Sequence, residues 1–207
     1  MEATQKAGFK AGLAAAAEAV VAAKDVLTKA DQAIGDGDHG LGMARGFRAF
    51  AEALAKQEGG DAAASLQAGG RALMMSSGGA SGAIFGTFFQ AAGKALPPGD
   101  LPEPAALAAA FATGLQAVRD RGKAKAGDKT MIDAAEPAIA ALAAGPQDLA
   151  LALTGMARAA RSGMDATRDM VATTGKARAL GERSLGHPDP GAMTFTLWCE
   201  ALAARMG

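Results

Sequence analysis

The chain has 207 residues, of which half are hydrophobic and only 4% aromatic, and its 21 basic and 21 acidic side chains cancel. That length suits one domain that buries its own core, and this composition excludes disorder. The absence of a basic excess, with no Tyr and a single Trp, removes both the electrostatic footprint and the stacking platforms of a nucleic-acid binder.

Alanine-rich sequence poor in β-branched residues favours helix over strand. In chain order, the apolar spacing predicts helices near 4–24, 43–57, 62–75, 82–95, 103–120, 131–144 and 148–170, then a C-terminal helix after Pro190-Gly191. Met43, Phe47, Phe50 and Leu54 mark one helical face; Met193, Leu197, Ala201 and Ala204 mark another. Gly59-Gly60-Asp61, Pro97-Pro98-Gly99-Asp100 and Gly145-Pro146 are the clearest breaks. The expectation is an all-α single domain over 1–207, of about eight helices, with small side chains allowing close helix approach. No apolar run is long enough for a membrane span. The N-terminus lacks the pattern of a signal peptide. The single cysteine, Cys199, cannot form an internal disulfide, so a reducing cytoplasmic location is expected.

Four loops carry chemistry. The first, Asp31 to Gly40, places Asp31, Asp36, Asp38 and His39 within nine residues. Carboxylates about 5 Å apart repel by about 3 kcal/mol per pair at an effective dielectric near 20. If they converge in a pocket, Mg2+ completed by phosphate oxygens is the natural neutraliser; a solvated capping loop is the plainer reading. An EF-hand begun at Asp36 would put Phe47 at its twelfth position, where a Glu is required, so that assignment fails. Gly35, Gly37 and Gly40 match G-x-G-x-x-G, but no strand precedes them; a Walker A sequence is absent.

The second loop, Ser76-Ser77-Gly78-Gly79-Ala80-Ser81-Gly82, opens onto a helix and reads equally as a phosphate cradle or a tight turn. The third, Arg121 to Met131, holds four cations in nine residues and reads foremost as a solvated loop. The fourth, Gly175 to Gly191, is a long Gly/Pro/charged stretch of the kind that is more often functional or mobile than structural.

Together these segments resemble the L subunit of dihydroxyacetone kinases. Four ordered motifs carry the resemblance: Asp31…Gly35-Asp36-Gly37-Asp38-His39-Gly40; Gly78-Gly79-Ala80-Ser81-Gly82 with Gly86-Thr87-Phe88-Phe89; Gly127-Asp128-Lys129-Thr130-Met131-Ile132-Asp133; and Gly181 to Ala192. The resemblance implies an antiparallel eight-helix barrel with a nucleotide held in the loops at one end. It implies two Mg2+ ions on Asp31, Asp36 and Asp38, and ADP or ATP contacts from His39, Gly42, Ser76, Ser77, Ala80, Ser81, Thr130, Arg178, Asp189 and Gly191, with Gly122 and Met131 walling the adenine. The acceptor ketone would be held by a separate K subunit, leaving no catalytic base here.

The resemblance further implies that ADP is retained and rephosphorylated by a phosphoprotein (the M subunit) of the phosphotransferase system. Gly37 and Gly42 depart from the Ala and Asn frequent in that branch, and a glycine at 42 supplies no side-chain amide. An ATP-exchanging subunit, a subunit serving another ketose, and a nucleotide-state signalling partner of a transcription regulator are the alternatives. A homodimer is compatible with all of them; nucleic acid and membrane partners are not expected.

Overall fold

The computed structural model describes residues 2–207, with side chains described from Gly8 onward. The described residues form nine α-helices: α1 (Glu2–Ala22), α2 (Lys24–Ile34), α3 (His39–Ala55), α4 (Ala62–Ser77), α5 (Gly79–Ala95), α6 (Pro104–Gly122), α7 (Met131–Ala143), α8 (Leu149–Ala166) and α9 (Pro190–Met206). Short 3₁₀ turns at Thr167–Asp169 and Lys176–Ser184 interrupt the long connection between α8 and α9.

Eight of these helices close a ring. Around it, α1 packs on α3, α3 on α4, and so on through α8 and α9, which returns to α1. The ninth, α2, lies outside the ring against α3 and the Lys176–Ser184 turn. The expected eight-helix barrel is therefore present. The predicted helix over 4–24 stops at Ala22, and a separate α2 follows one residue later. No Gly or Pro marks that break. Instead α2 is amphipathic by itself, burying Leu27, Asp31 and Ile34 along one face. The helix expected over 148–170 ends at Ala166, where a tighter 3₁₀ turn takes over.

Caps and prolines set the other boundaries. Asp61 and Asp148 accept the amides of Ala64 and Leu151, at 2.6 and 2.9 Å, to start α4 and α8. Pro104 and Pro190 occupy first turns, where the missing N–H costs nothing. Thr130 and Asp133 form a capping box on α7.

Aromatic rings fill the barrel. Phe47, Phe50, Phe85, Phe88, Phe89, Phe111, Phe195 and Trp198 are all fully buried, and Phe89 meets Phe50 and Trp198 with centroids 5.1 Å apart. Each such burial contributes about 2–3 kcal/mol. Small residues bring the walls together: a Cβ on Gly86 would lie 2.6 Å from Met74 Cβ and 2.8 Å from the Gly70 carbonyl, so α4 and α5 touch backbone to backbone. No helix is long and apolar enough to cross a membrane among the described residues.

The alternating helix directions put α3, α5, α7 and α9 with their starts at one end. The opposite end is tied by the Ala62 amide on the Gly99 carbonyl at 2.8 Å. Four helix starts, each carrying partial positive charge, face the same region.

Candidate functional site

At that end lies a cavity of about 330 Å³. It is lined by Asp31, Asp38 and His39 from the first loop, Ser77 to Ser81 from the second, Thr130 and Met131, and then Thr174 to Ala177 with Asp189 to Gly191. Of the residues singled out in the sequence, Asp31, Asp38, His39, Gly42, Ser77, Ala80, Ser81, Thr130, Met131, Asp189 and Gly191 meet there. Asp36 sits beside them, joined to the lining through Lys176. Ser76, Gly122 and Arg178 are exposed and lie outside the lining. Gly122 does approach it, since a Cβ there would lie 3.3 Å from the Ile84 side chain.

The acidic loop converges. Oxygens of Asp31, Asp36 and Asp38 all lie within 4.8 Å of one another. Asp31 is nearly buried on α2 and accepts the His39 amide at 3.1 Å. Asp36 and Asp38 are exposed, and both engage the Lys176 ammonium, which sits 3.0 Å from Asp38 Oδ2. The bond from Lys176 to Asp36, followed by the charge of Lys176, holds the Asp36 carboxyl below its ordinary range. The carboxylates thus already share a cation, and their oxygen donors suit a hard divalent ion. Lys176 stands 138 positions from Asp38, and nothing local in the sequence couples the two.

His39 is held from both sides. Its Nε2 lies 2.8 Å from Thr194 Oγ1, and Thr194 donates its own proton to the Pro190 carbonyl at 3.0 Å. Thr194 must therefore accept, which places the proton on Nε2 and leaves Nδ1 to accept from Ser81 Oγ at 3.1 Å. Burial lowers the His39 pKa, against the opposing pull of Asp31 and Asp38. A neutral imidazole thereby orients the Ser81 hydroxyl.

The start of α5 is shaped for an anion. Gly78 and Gly79 both take positive φ, at 71° and 66°, which turns the chain into the helix without side-chain bulk. No side chain caps this N-terminus, so its amides face the cavity with only the helix dipole behind them. By contrast α7 and α9 carry their own caps, from Thr130 and Asp189. Ser77 Oγ is committed to the Gly42 carbonyl at 2.8 Å, and Arg45 donates to the Ser77 carbonyl at 2.9 Å. Arg45 was not evident from the sequence, because a helical arginine carries no local signature.

The third loop is only partly solvated. Lys123 and Lys125 are exposed, as expected, but Lys129 is 2% exposed and points inward. Asp128 accepts the Thr173 hydroxyl at 2.6 Å and the Lys125 amide at 2.8 Å, and these bonds lower its pKa. Asp189 caps α9 through the Ala192 amide at 2.7 Å; it is half-buried at the cavity wall, and burial raises its pKa to about 7.

Comparison with known proteins places this geometry. Residues 33–204 match the DAK2 domain. The chain is 38% identical over 179 residues to the ADP-binding subunit of PEP-dependent dihydroxyacetone kinase 1 from Listeria innocua, covering 86% of each. It is 41% identical over 186 residues to the corresponding subunit from Escherichia coli, covering 87% of this chain and 89% of that one. An L-erythrulose 1-kinase from Mycolicibacterium smegmatis is 39% identical, but the chain spans only 32% of its length. The dihydroxyacetone kinase of C. freundii in complex with AMP-PNP and Mg2+ superimposes with a TM-score of 0.74 at 28% identity, covering 94% of this chain and 33% of the larger one. The chain belongs to the DAK2 domain family, and it matches the dihydroxyacetone kinase ADP-binding subunits over most of their length.

Proposed function

We propose that this chain is the Mg2+–adenine-nucleotide subunit of a dihydroxyacetone kinase, presenting a phosphoryl group to dihydroxyacetone held by a separate K subunit. The observation that carries this reading is the meeting of three carboxylates with the uncapped start of α5 in one cavity. Asp31, Asp36 and Asp38 would hold two Mg2+ ions, whose chemistry is to offset charge on the phosphates during transfer. The α5 amides donate toward phosphate oxygens, while the Ser81 hydroxyl, whose proton is taken by neutral His39, presents its lone pairs to the cavity. Met131 and Gly122 wall the adenine. Thr130, Asp189 and Gly191 continue that wall from the starts of α7 and α9, and Arg178, exposed on the strap outside the lining, would swing in to meet the nucleotide.

No acid–base pair is assigned to this chain, so transfer depends on the partner. The relatives whose names include PEP dependence support retained ADP, recharged by a phosphotransferase-system phosphoprotein. A second reading, a subunit for a different ketose, is favoured by the comparable identity to the erythrulose kinase.

One reconstitution separates these readings. The chain is mixed with its K subunit, with dihydroxyacetone or erythrulose as acceptor, and with ATP or the phosphoprotein as donor. Dihydroxyacetone phosphate formed with the phosphoprotein alone, and stoichiometric ADP released when the purified chain is denatured, are the expected results. Phosphorylation of erythrulose in preference moves the assignment to the second reading, and no product from any pairing overturns both.

A further inference from the structure

The Lys129 side chain reaches a site that the nucleotide reading does not use. Its ammonium lies 2.7 Å from the Thr167 carbonyl, 2.7 Å from that of Ser184, 2.6 Å from that of His187 and 3.2 Å from that of Met170. An ammonium has three protons, so four carbonyls exceed what hydrogen bonding alone can satisfy. The arrangement is that of a small cation in a cage of carbonyl dipoles. Lys129 is also held in left-handed backbone with φ of 61°, unfavourable for a residue with a Cβ, which aims the side chain into the cage.

The carbonyls belong to the two legs of one strap, residues 167–189, which crosses from α8 to α9. Thr167 and Met170 form the outgoing leg; Ser184 and His187 form the returning one. Between them the arc of the strap brings Thr174 to Ala177 to the cavity wall, and its foot ends at Asp189. Other bonds join the legs, including the Gly186 amide to the Arg168 carbonyl at 2.8 Å and the Ala172 amide to Ser184 Oγ at 3.0 Å. The Thr167 carbonyl also accepts the Met170 amide at 3.3 Å, but the ammonium alone meets all four carbonyls.

We infer that Lys129 acts as a built-in monovalent cation, whose carbonyl cage fixes the closed strap and so positions the residues that wall the cavity. Lys129 is a positioning residue: it borders the cavity beside Thr130, but its ammonium is spent on the strap carbonyls. The inference rests on the nucleotide reading for one of its two readouts, and the other is independent of any nucleotide.

The test is chemical rescue. K129A removes three methylenes and the ammonium, a void that propylammonium matches atom for atom. In K129A, amide hydrogen exchange across 167–189 should accelerate by at least about tenfold, the amount expected from losing one or two charge-assisted bonds. Protection in α3–α7 should be unchanged, and Mg2+–ADP binding by calorimetry should weaken by about tenfold or more. Propylammonium chloride should restore both, while tetramethylammonium chloride at the same ionic strength, too bulky and without N–H groups, should restore neither. K129M, whose side chain fills the void, should show the same losses without rescue.

Wild-type exchange in the K129A strap overturns the inference, as does equal behaviour of the two ammonium salts. Collapse of the whole helical signal in both K129A and K129M also overturns it, since the effect is assigned to the strap alone. If the wild-type chain fails to bind Mg2+–ADP, the functional reading falls, and exchange with and without propylammonium still decides the role of Lys129.

Discussion

Replacing His39 by alanine tests the network that orients Ser81. The imidazole is 7% exposed and makes bonds of 3.1 Å to Ser81 and 2.8 Å to Thr194. Each neutral bond contributes about 1 kcal/mol net. Thr194 keeps its bond to Pro190 and Ser81 borders the cavity, so neither hydroxyl is left fully orphaned. The void left by the ring adds about 1–2 kcal/mol. The sum is about 3–4 kcal/mol, which for a chain of this size lowers Tm by about 6–16 °C. Thermal unfolding followed by circular dichroism at pH 7.5, without nucleotide, reads this directly.

The same variant carries a pH signature. Burial lowers the folded pKa of His39 below its ordinary 6.5, so the unfolded chain takes up the proton first. The contribution of His39 to stability is therefore complete above pH 6.5 and is lost as the pH falls through the folded value. The Tm difference between wild type and H39A should shrink from pH 7.5 toward pH 5. A Tm change under about 2 °C at pH 7.5, or a difference that grows on acidification, would refute the buried neutral imidazole.

Three further outcomes follow from other parts of the structure. For Asp189 the sign is reversed: burial raises its pKa from 3.8 to about 7, so its favourable contribution holds below 3.8 and is lost as the pH rises through 7. D189N, which keeps an acceptor for the Ala192 amide, should gain stability relative to wild type between pH 4 and 8; a constant difference in denaturant midpoints contradicts this. G86A forces a methyl against Met74 and the Gly70 carbonyl, and should cost about 1–3 kcal/mol in urea unfolding with an unchanged m-value. K176M frees the oxygens of Asp36 and Asp38 that the ammonium shares, so Mn2+ binding without nucleotide, followed by electron paramagnetic resonance, should tighten; unchanged or weaker affinity argues against a common cation site.

What the sequence makes legible is local. Met43, Phe47, Phe50 and Leu54 announce α3 because helical periodicity is written within four turns, and all four are buried. Asp31, Asp36 and Asp38 can be grouped because eight residues of Gly-rich chain leave them little choice but proximity. The division of α1 from α2 is not legible, because Ala23 carries no breaking signal and the break arises from α2 packing its own face on α3. Long-range partners are equally hidden. His39 and Thr194 are 155 positions apart, and Lys129 meets carbonyls up to 58 positions away. A backbone carbonyl has no sequence signature, so a charged loop such as 121–129 reads as solvated until the chain folds over it.

The central claim is that the three converging carboxylates make this cavity a Mg2+–nucleotide site. Calorimetric titration of Mg2+–ADP into wild type, D36A and D38A, with ADP-free protein and circular dichroism as the folding control, tests it most directly. Saturable binding to wild type, lost in both variants while the helical signal is intact, is the predicted result. Wild-type affinity in either variant, or no binding to the wild-type chain, would contradict it.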